Sequence, residues 1–441
     1  MTPPEAAPTL RRELGKWDLT AIGVNQVIGS AIFLMPSQIA GLVGGWSIVA
    51  FGFGGLVSLC VGLCFAEVGS RFDRTGGPYL FTRVAFGRFV AFEVGWMQWL
   101  ARTTAHASVI NGLALALGFY WPAVRLGVPR ASIIVGLTLA LAFIQVRGIR
   151  ESKWLVNALT IGKLVPLTVF IVIGAFYLQP SLIGPFPPIT IDQASQATLL
   201  MIFTYGGYDV IPIPAGEATN PRRHVPFAMI ATLLIVAAVM SLGQVVALGT
   251  LSNLGQSQTP LADASAVFLG GAGALMMGVG SILSMTGNLT GQILSGSRLV
   301  FALGENGDLP VFFGRIHSKY RTPANSIVFT AAVALALALS GSYVTMAAMS
   351  ALVRIVTLSG TCAATLALRR PKYADRVQPA TYTTPFGATV PIVGLIVMML
   401  VAAAATRQQL IFGLYGMLAG AVLFFAASFR RSGTAAPAAG V

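Results

Sequence analysis

Apolar residues fall along the chain in twelve long stretches: 18–40, 46–70, 88–118, 129–147, 153–178, 194–218, 226–250, 272–303, 324–341, 345–368, 388–406 and 407–428. A helix of about 20 apolar residues crosses a hydrocarbon core about 30 Å thick, so the pattern predicts an all-α integral membrane protein with twelve transmembrane helices. Two stretches are interrupted at their midpoints, the first by Gly29-Ser30-Ala31 and the sixth by Gly206-Gly207. Lipid cannot satisfy the N–H and C=O groups of unwound backbone, so such breaks survive only inside protein or against a water-filled cavity. Paired breaks five spans apart point to the substrate site of an inverted-repeat carrier, because five is odd and the second set must cross in the opposite sense. The organisation read from this pattern is a segment 1–17, helices 1–5 over 18–178, helices 6–10 over 194–368, helices 11–12 over 388–428, and a disordered Ala/Gly/Pro tail over 429–441. Stretch 251–271 reads as an outer loop with a short amphipathic helix over 259–264.

Composition agrees with a membrane chain: 55% of residues are hydrophobic and 10% charged, against about 25% charged in soluble domains. The net charge of +14 would suit nucleic acid, but its distribution argues for topology instead. Twenty-one of the 28 lysines and arginines fall in alternate loops and the termini, against Arg125, Arg130 and Arg407 on the other side. That bias places both termini in the cytoplasm and predicts a multi-pass inner or plasma membrane protein. Its partners are then anionic lipid and a small solute, with no nucleic acid. Residues 1–17 do not read as a secretory signal. Cys60, Cys64 and Cys362 lie inside spans, which suggests neither a disulfide framework nor a metal site. No phosphate loop or hydrolytic arrangement is present, so no enzyme activity and no cofactor are expected.

The breaks suggest a chemistry. Unwinding after Val27 and Ile28, through Gly29, Ser30 and Ala31, frees N–H groups and aims a half-helix N-terminus at the cavity, which suits a carboxylate. On the sixth stretch the carbonyls of Phe203, Thr204 and Gly206 would accept hydrogen bonds from an ammonium group. Lys163, eleven residues into span 5, carries a charge at a depth where charge is costly and functional by default. Ser284, Thr286 and Thr290 are its expected hydroxyl neighbours on helix 8. Arg102 sits mid-span 3 and Asp209 is the acid in the middle of span 6. Either the two pair and hold helix 3 against the gate, or Arg102 faces the substrate and selects acidic or carbonyl-bearing side chains. His106 reads as packed or vestibular. Glu67 and Glu217 read as partners of nearby arginines, and Arg354 has no evident partner.

Several motifs resemble one known family. Gly29-Ser30-Ala31-Ile32-Phe33 is similar to the first-helix motif of amino acid–polyamine–organocation permeases, with Ala31 where that motif has a second glycine. Arg74-Thr75-Gly76-Gly77-Pro78-Tyr79 before Ala85-Phe86-Gly87, then Gly216-Glu217-Ala218-Thr219-Asn220-Pro221-Arg222-Arg223, resemble its inner-loop segments. Ser297-Arg298, Gly307-Asp308-Leu309-Pro310 and Thr322-Pro323 resemble the pattern between helices 8 and 9. The resemblance covers residues 15–370 and implies the LeuT-type 5+5 inverted repeat with discontinuous helices 1 and 6, and transport of amino acids or amines. It further implies that Phe203 is an aromatic lid and that Gln292 and Arg102 lie at pocket-wall positions. It also places Lys163 where sodium-coupled relatives hold sodium, hence sodium-independent proton symport or exchange. Two other functions compete: a polyamine or organic-cation carrier, which needs acids in the pocket and has only Asp209, and a non-transporting amino acid sensor, which commonly adds a long signalling tail. A channel is disfavoured, since broken-helix sites imply occlusion.

Overall fold

The computed structural model describes residues 9–184, 186–341, 343–403 and 407–432, and over these the chain is helical with no strand. In chain order the helices are α1 Lys16–Val27, α2 Ala31–Val43, α3 Ser47–Gly69, α4 Pro78–Phe86, α5 Arg88–Tyr120, α6 Gly127–Arg147, α7 Ile149–Gly174 and α8 Pro180–Ile183. They continue with α9 Ile191–Thr204, α10 Pro221–Thr250, α11 Pro260–Glu305, α12 Ala324–Ser340, α13 Tyr343–Leu368, α14 Thr389–Ala403 and α15 Arg407–Ser432. Six helical segments among the described residues are long and apolar enough to cross a membrane by length and composition.

The side chains are distributed as a bilayer requires. Leu139, Phe143, Ile396, Met399, Leu400 and Val422 are exposed on peripheral helices, while Asn25, Gln98, Thr104, Gln145, Ser284 and Asn288 are buried inside. Small residues let the inner helices approach: a Cβ on Gly62 of α3 would stand 2.1 Å from Leu233 Cδ1 of α10. The helix ends follow the apolar runs closely, with four differences. The second half of the sixth stretch is not α-helical; after α9 the chain runs through turns and short 3-10 segments at Tyr208–Val210 and Ala215–Glu217. Gly206-Gly207 followed by Pro212 and Pro214 accounts for this, because each proline removes a donor and clashes with the preceding turn. Helix α11 starts at Pro260 rather than 272 and is kinked at Gly270, whose φ of 62° suits glycine. Two short helices, α4 and α8, lie within stretches read as loops. The junction between the last two apolar stretches (404–406) and the tail beyond 432 lie outside the described residues.

The motif-bearing loops meet at one end of the bundle. Tyr79 donates to Asp308 Oδ2 at 2.6 Å, and Arg83 and Arg88 reach the same carboxylate at 2.9 and 2.7 Å. Burial, and then the charge of Asp308, push the Tyr79 phenol well above its ordinary pKa, so it stays a donor. Nearby, Glu67 accepts from Arg369 at 2.7 and 2.5 Å. Glu217 accepts two bonds from Arg298, both at 2.9 Å, with both side chains buried. The N-terminal segment crosses the same end: Leu14 pairs with Ala218 as an isolated parallel bridge, and Arg321 donates to Thr9.

Candidate functional site

The two interruptions face each other. Helix α1 stops at Val27 and α2 begins at Ala31. Helix α9 stops at Thr204, and Gly207 adopts φ +133° directly against the first break, where a Cβ would fall 2.5 Å from Gln26 O. Only glycine combines that dihedral with that approach.

Every carbonyl from Val24 to Ser30 has a donor, which explains how an unwound turn is held here. Val24 O accepts from Ile28 N at 2.8 Å, Val27 O from Gly29 N at 2.9 Å and Ser30 O from Phe33 N at 3.1 Å. The others are served from α7 and α11. Lys163 Nζ donates to Ile28 O at 2.7 Å and to Asn25 O at 3.4 Å, and also reaches Ser284 O at 3.2 Å. The Ser284 hydroxyl reaches Ile28 O at 2.8 Å and Gly29 O at 2.9 Å. Asn288 Nδ2 donates to Gln26 O at 3.0 Å and Asn25 O at 3.3 Å, and Gln26 Nε2 returns a bond to Asn288 O at 2.8 Å. Lys163 is fully buried and ties α7 to the first break and to α11.

The N–H groups behave differently. The first amides of a helix have no intrahelical acceptor, and Ser30, at the cap of α2, makes no capping bond with its hydroxyl. The amides of Ser30 and Ala31 therefore present donors and partial positive charge to a cavity of about 60 Å³ between the breaks, beside Gly29, whose own N–H is taken by Val27 O. On that scale one water needs about 10–15 Å³, so the cavity has room for several waters or a small solute. Its wall is completed by Gln26 and Val27, by Ala105, Ser108 and Val109 of α5, by Thr204 and Gly206, by Asn288 and Gln292, and by Ser350 and Arg354 of α13. Gln26 Oε1 and Gln292 Oε1 are buried acceptors without a hydrogen-bond partner.

Of the residues expected here, Val27, Gly29, Ser30, Ala31, Thr204, Gly206 and Gln292 line the cavity. Phe203 lies in α9 and its side chain is outside the described set. Ile28 sits behind the wall, giving its carbonyl to Lys163 and Ser284. Arg102 and Asp209 are also behind it: both are buried, and Arg102 Nη2 donates to Asp209 Oδ2 at 3.0 Å. Gln98 donates to the same oxygen at 3.1 Å, and Arg354 Nε stands 3.9 Å from Oδ1. Thr286 and Thr290 do not reach Lys163. Each hydroxyl bonds a carbonyl one turn earlier on its own helix, Ile282 O and Thr286 O, both at 2.9 Å, a self-satisfaction common for Ser and Thr in apolar helices. His106 packs against Thr138 at 3.2 Å. Gln26, Asn288 and Arg354 were not singled out for the site from the sequence. The signal that could have found the amides is their polarity within apolar spans beside the breaks. No group of three or more His, Cys, Asp or Glu suited to a metal occurs among the described residues.

Apolar outer faces, a polar interior and two helices broken opposite each other define a multi-pass membrane protein. The chain matches the amino acid permease family over residues 14–427 and belongs to it. It is 26% identical to the methylthioribose transporter of Bacillus subtilis (strain 168), over 87% of this chain and 86% of that protein. It is 29% identical to the serine/threonine exchanger SteT of the same organism, over 75% and 77%. To the branched-chain amino acid permease BcaP of that organism it is 26% identical over 96% and 94%. These are membrane transporters, not enzymes, and so is this protein.

Proposed function

We propose that this chain is a sodium-independent secondary transporter of small amino acids, working by alternating access. The fold it implies is twelve spans in a LeuT-type 5+5 inverted repeat, with α1–α2 and α9 with its following turns as the broken first helix of each half and both termini cytoplasmic. The observation that carries the reading is the facing pair of breaks, one with free amides and the other with unwound backbone, across a small polar cavity. The α2 N-terminus and Ser30 hold the α-carboxylate. Gln26 Oε1, Gln292 Oε1 and the carbonyls around Gly206 receive the α-ammonium, and Phe203 supplies the lid. Such a site grips the two charges shared by all amino acids, which fits relatives whose names cover hydroxyl-bearing and branched-chain substrates. Lys163 stands in for a coupling cation by holding carbonyls of the first break from α7, and transport is proton symport or exchange. Movement of α1–α3, α9 and α10 against the remaining helices exposes the cavity to each side in turn, with the Glu217–Arg298 pair and the Leu14 contact closing one end. A polyamine carrier is disfavoured because Asp209 is committed to Arg102 and no acid lines the cavity among the described residues.

The test is uptake by the purified protein in proteoliposomes. Labelled serine, alanine, leucine, putrescine and methylthioribose are compared with and without internal substrate, a pH gradient and sodium. Saturable amino acid uptake that ignores sodium is expected. Uptake of putrescine or methylthioribose alone, or strict sodium dependence, would overturn the proposal.

A further inference from the structure

Resting on the amino acid site proposed above, the geometry points to a second anion-binding subsite at Arg354, which makes short acidic amino acids the preferred substrates. Arg354 is the charged residue of the cavity wall among the described residues, and no acid lines that wall. Its apparent partner does not satisfy it. Arg102 at 3.0 Å and Gln98 at 3.1 Å both bind Asp209 Oδ2; Arg354 Nε stands 3.9 Å from Oδ1, an ion pair beyond hydrogen-bond range, and neither Nε nor Oδ1 has a hydrogen-bond partner.

Two guanidiniums against one carboxylate leave the Arg102–Asp209–Arg354 group with one net positive charge in a buried setting. Arg102 Nε and Nη1 are likewise buried without acceptors. Such a group is costly until an anion joins it. A guanidinium presents a planar fork that matches a carboxylate with two parallel bonds. The α2 N-terminus, on another part of the same cavity, is a separate place for a carboxylate. A solute with two carboxylates offers one to each; a lysine-like solute would face Arg354 with no counter-charge. Cavity size favours the shorter acid.

The experiment uses the full chain in proteoliposomes and measures kcat/KM for aspartate, alanine and lysine in wild type, Arg354→Gln and Arg354→Lys. Wild type is expected to prefer aspartate over alanine by at least about tenfold, as loss of a charge-assisted pair implies, and to reject lysine. Arg354→Gln should lower the aspartate-to-alanine ratio of kcat/KM about tenfold or more, and Arg354→Lys should fall between. If Arg354→Gln does not fold, the wild-type order decides alone. A wild type that takes alanine or lysine as well as aspartate overturns the subsite, as does a ratio unmoved by Arg354→Gln. Failure to transport any amino acid strikes instead at the underlying site.

Discussion

Replacing Lys163 by Met removes the ammonium and keeps a chain of similar reach. Lys163 donates to three carbonyls, but two of these have second donors: Ile28 O keeps the Ser284 hydroxyl at 2.8 Å, and Asn25 O keeps Asn288 at 3.3 Å. The loss is therefore not three orphaned acceptors. One charge-assisted bond is worth about 1.5–3 kcal/mol, and relief from burying a cation offsets part of it. Lys163→Met alone should cost no more than about 2 kcal/mol on that reasoning. Ser284→Ala leaves Ile28 O with Lys163 at 2.7 Å but strips Gly29 O of the hydroxyl it accepts from, costing about 1–3 kcal/mol. Only the double variant leaves Ile28 O, which is fully buried, without either donor. The two changes should therefore be non-additive by about 1–3 kcal/mol, within the range seen for residues sharing one partner. The cycle is read from SDS-driven unfolding of the four proteins in detergent, with initial uptake rates measured in parallel. Additivity within about 0.5 kcal/mol would refute the claim that Lys163 and Ser284 jointly hold the unwound turn.

Two further perturbations probe other parts of the frame. Gly207→Ala places a Cβ 2.5 Å from Gln26 O in a left-handed conformation, so strain and backbone overlap together should cost about 2–5 kcal/mol and abolish measurable uptake. Gly87→Ala, also at positive φ but with nothing within 4 Å, should lose about 1–3 kcal/mol from backbone strain alone in the same unfolding assay and leave uptake intact. Glu217→Gln should lower stability by about 3–5 kcal/mol, because the buried Arg298 guanidinium loses its bidentate carboxylate; a thermal melt unchanged from wild type would contradict this.

Much of the architecture was legible because membrane helices announce themselves as apolar runs, and because the small-residue interruptions at Gly29 and Gly206-Gly207 fall at matching midpoints five stretches apart. Hydropathy misled at the second half of the sixth stretch: Ile211, Ile213 and Ala215 read as continuing helix, while Pro212 and Pro214 decided the backbone. It also could not show that Pro78–Phe86 folds as a helix, since an amphipathic loop segment carries no spanning signal. Side-chain pairing was harder. Arg102 and Asp209 drew attention as isolated charges, but whether they met each other or a solute depended on helix rotation, and the structure turns them towards each other. The approach of Arg354 to Asp209 joins residues far apart in the chain, and no local pattern encodes it. Thr286 looked available for Lys163 only while its own helix was ignored; once α11 is drawn, Ile282 O claims its hydroxyl. Asn288 was overlooked because an amide in a helix carries no charge to flag it, yet it serves two carbonyls of the first break.

The central claim is that the gap between α1 and α2 is where an amino acid binds. The direct measurement is thiol labelling of Ser30→Cys in a chain whose Cys60, Cys64 and Cys362 are replaced by Ala, with a small membrane-permeant maleimide in proteoliposomes. The account predicts that Cys introduced at Ser30 is labelled and that saturating amounts of a transported amino acid slow that labelling at least several-fold, while a non-transported one does not. Labelling that proceeds at the same rate with and without transported substrate would contradict it.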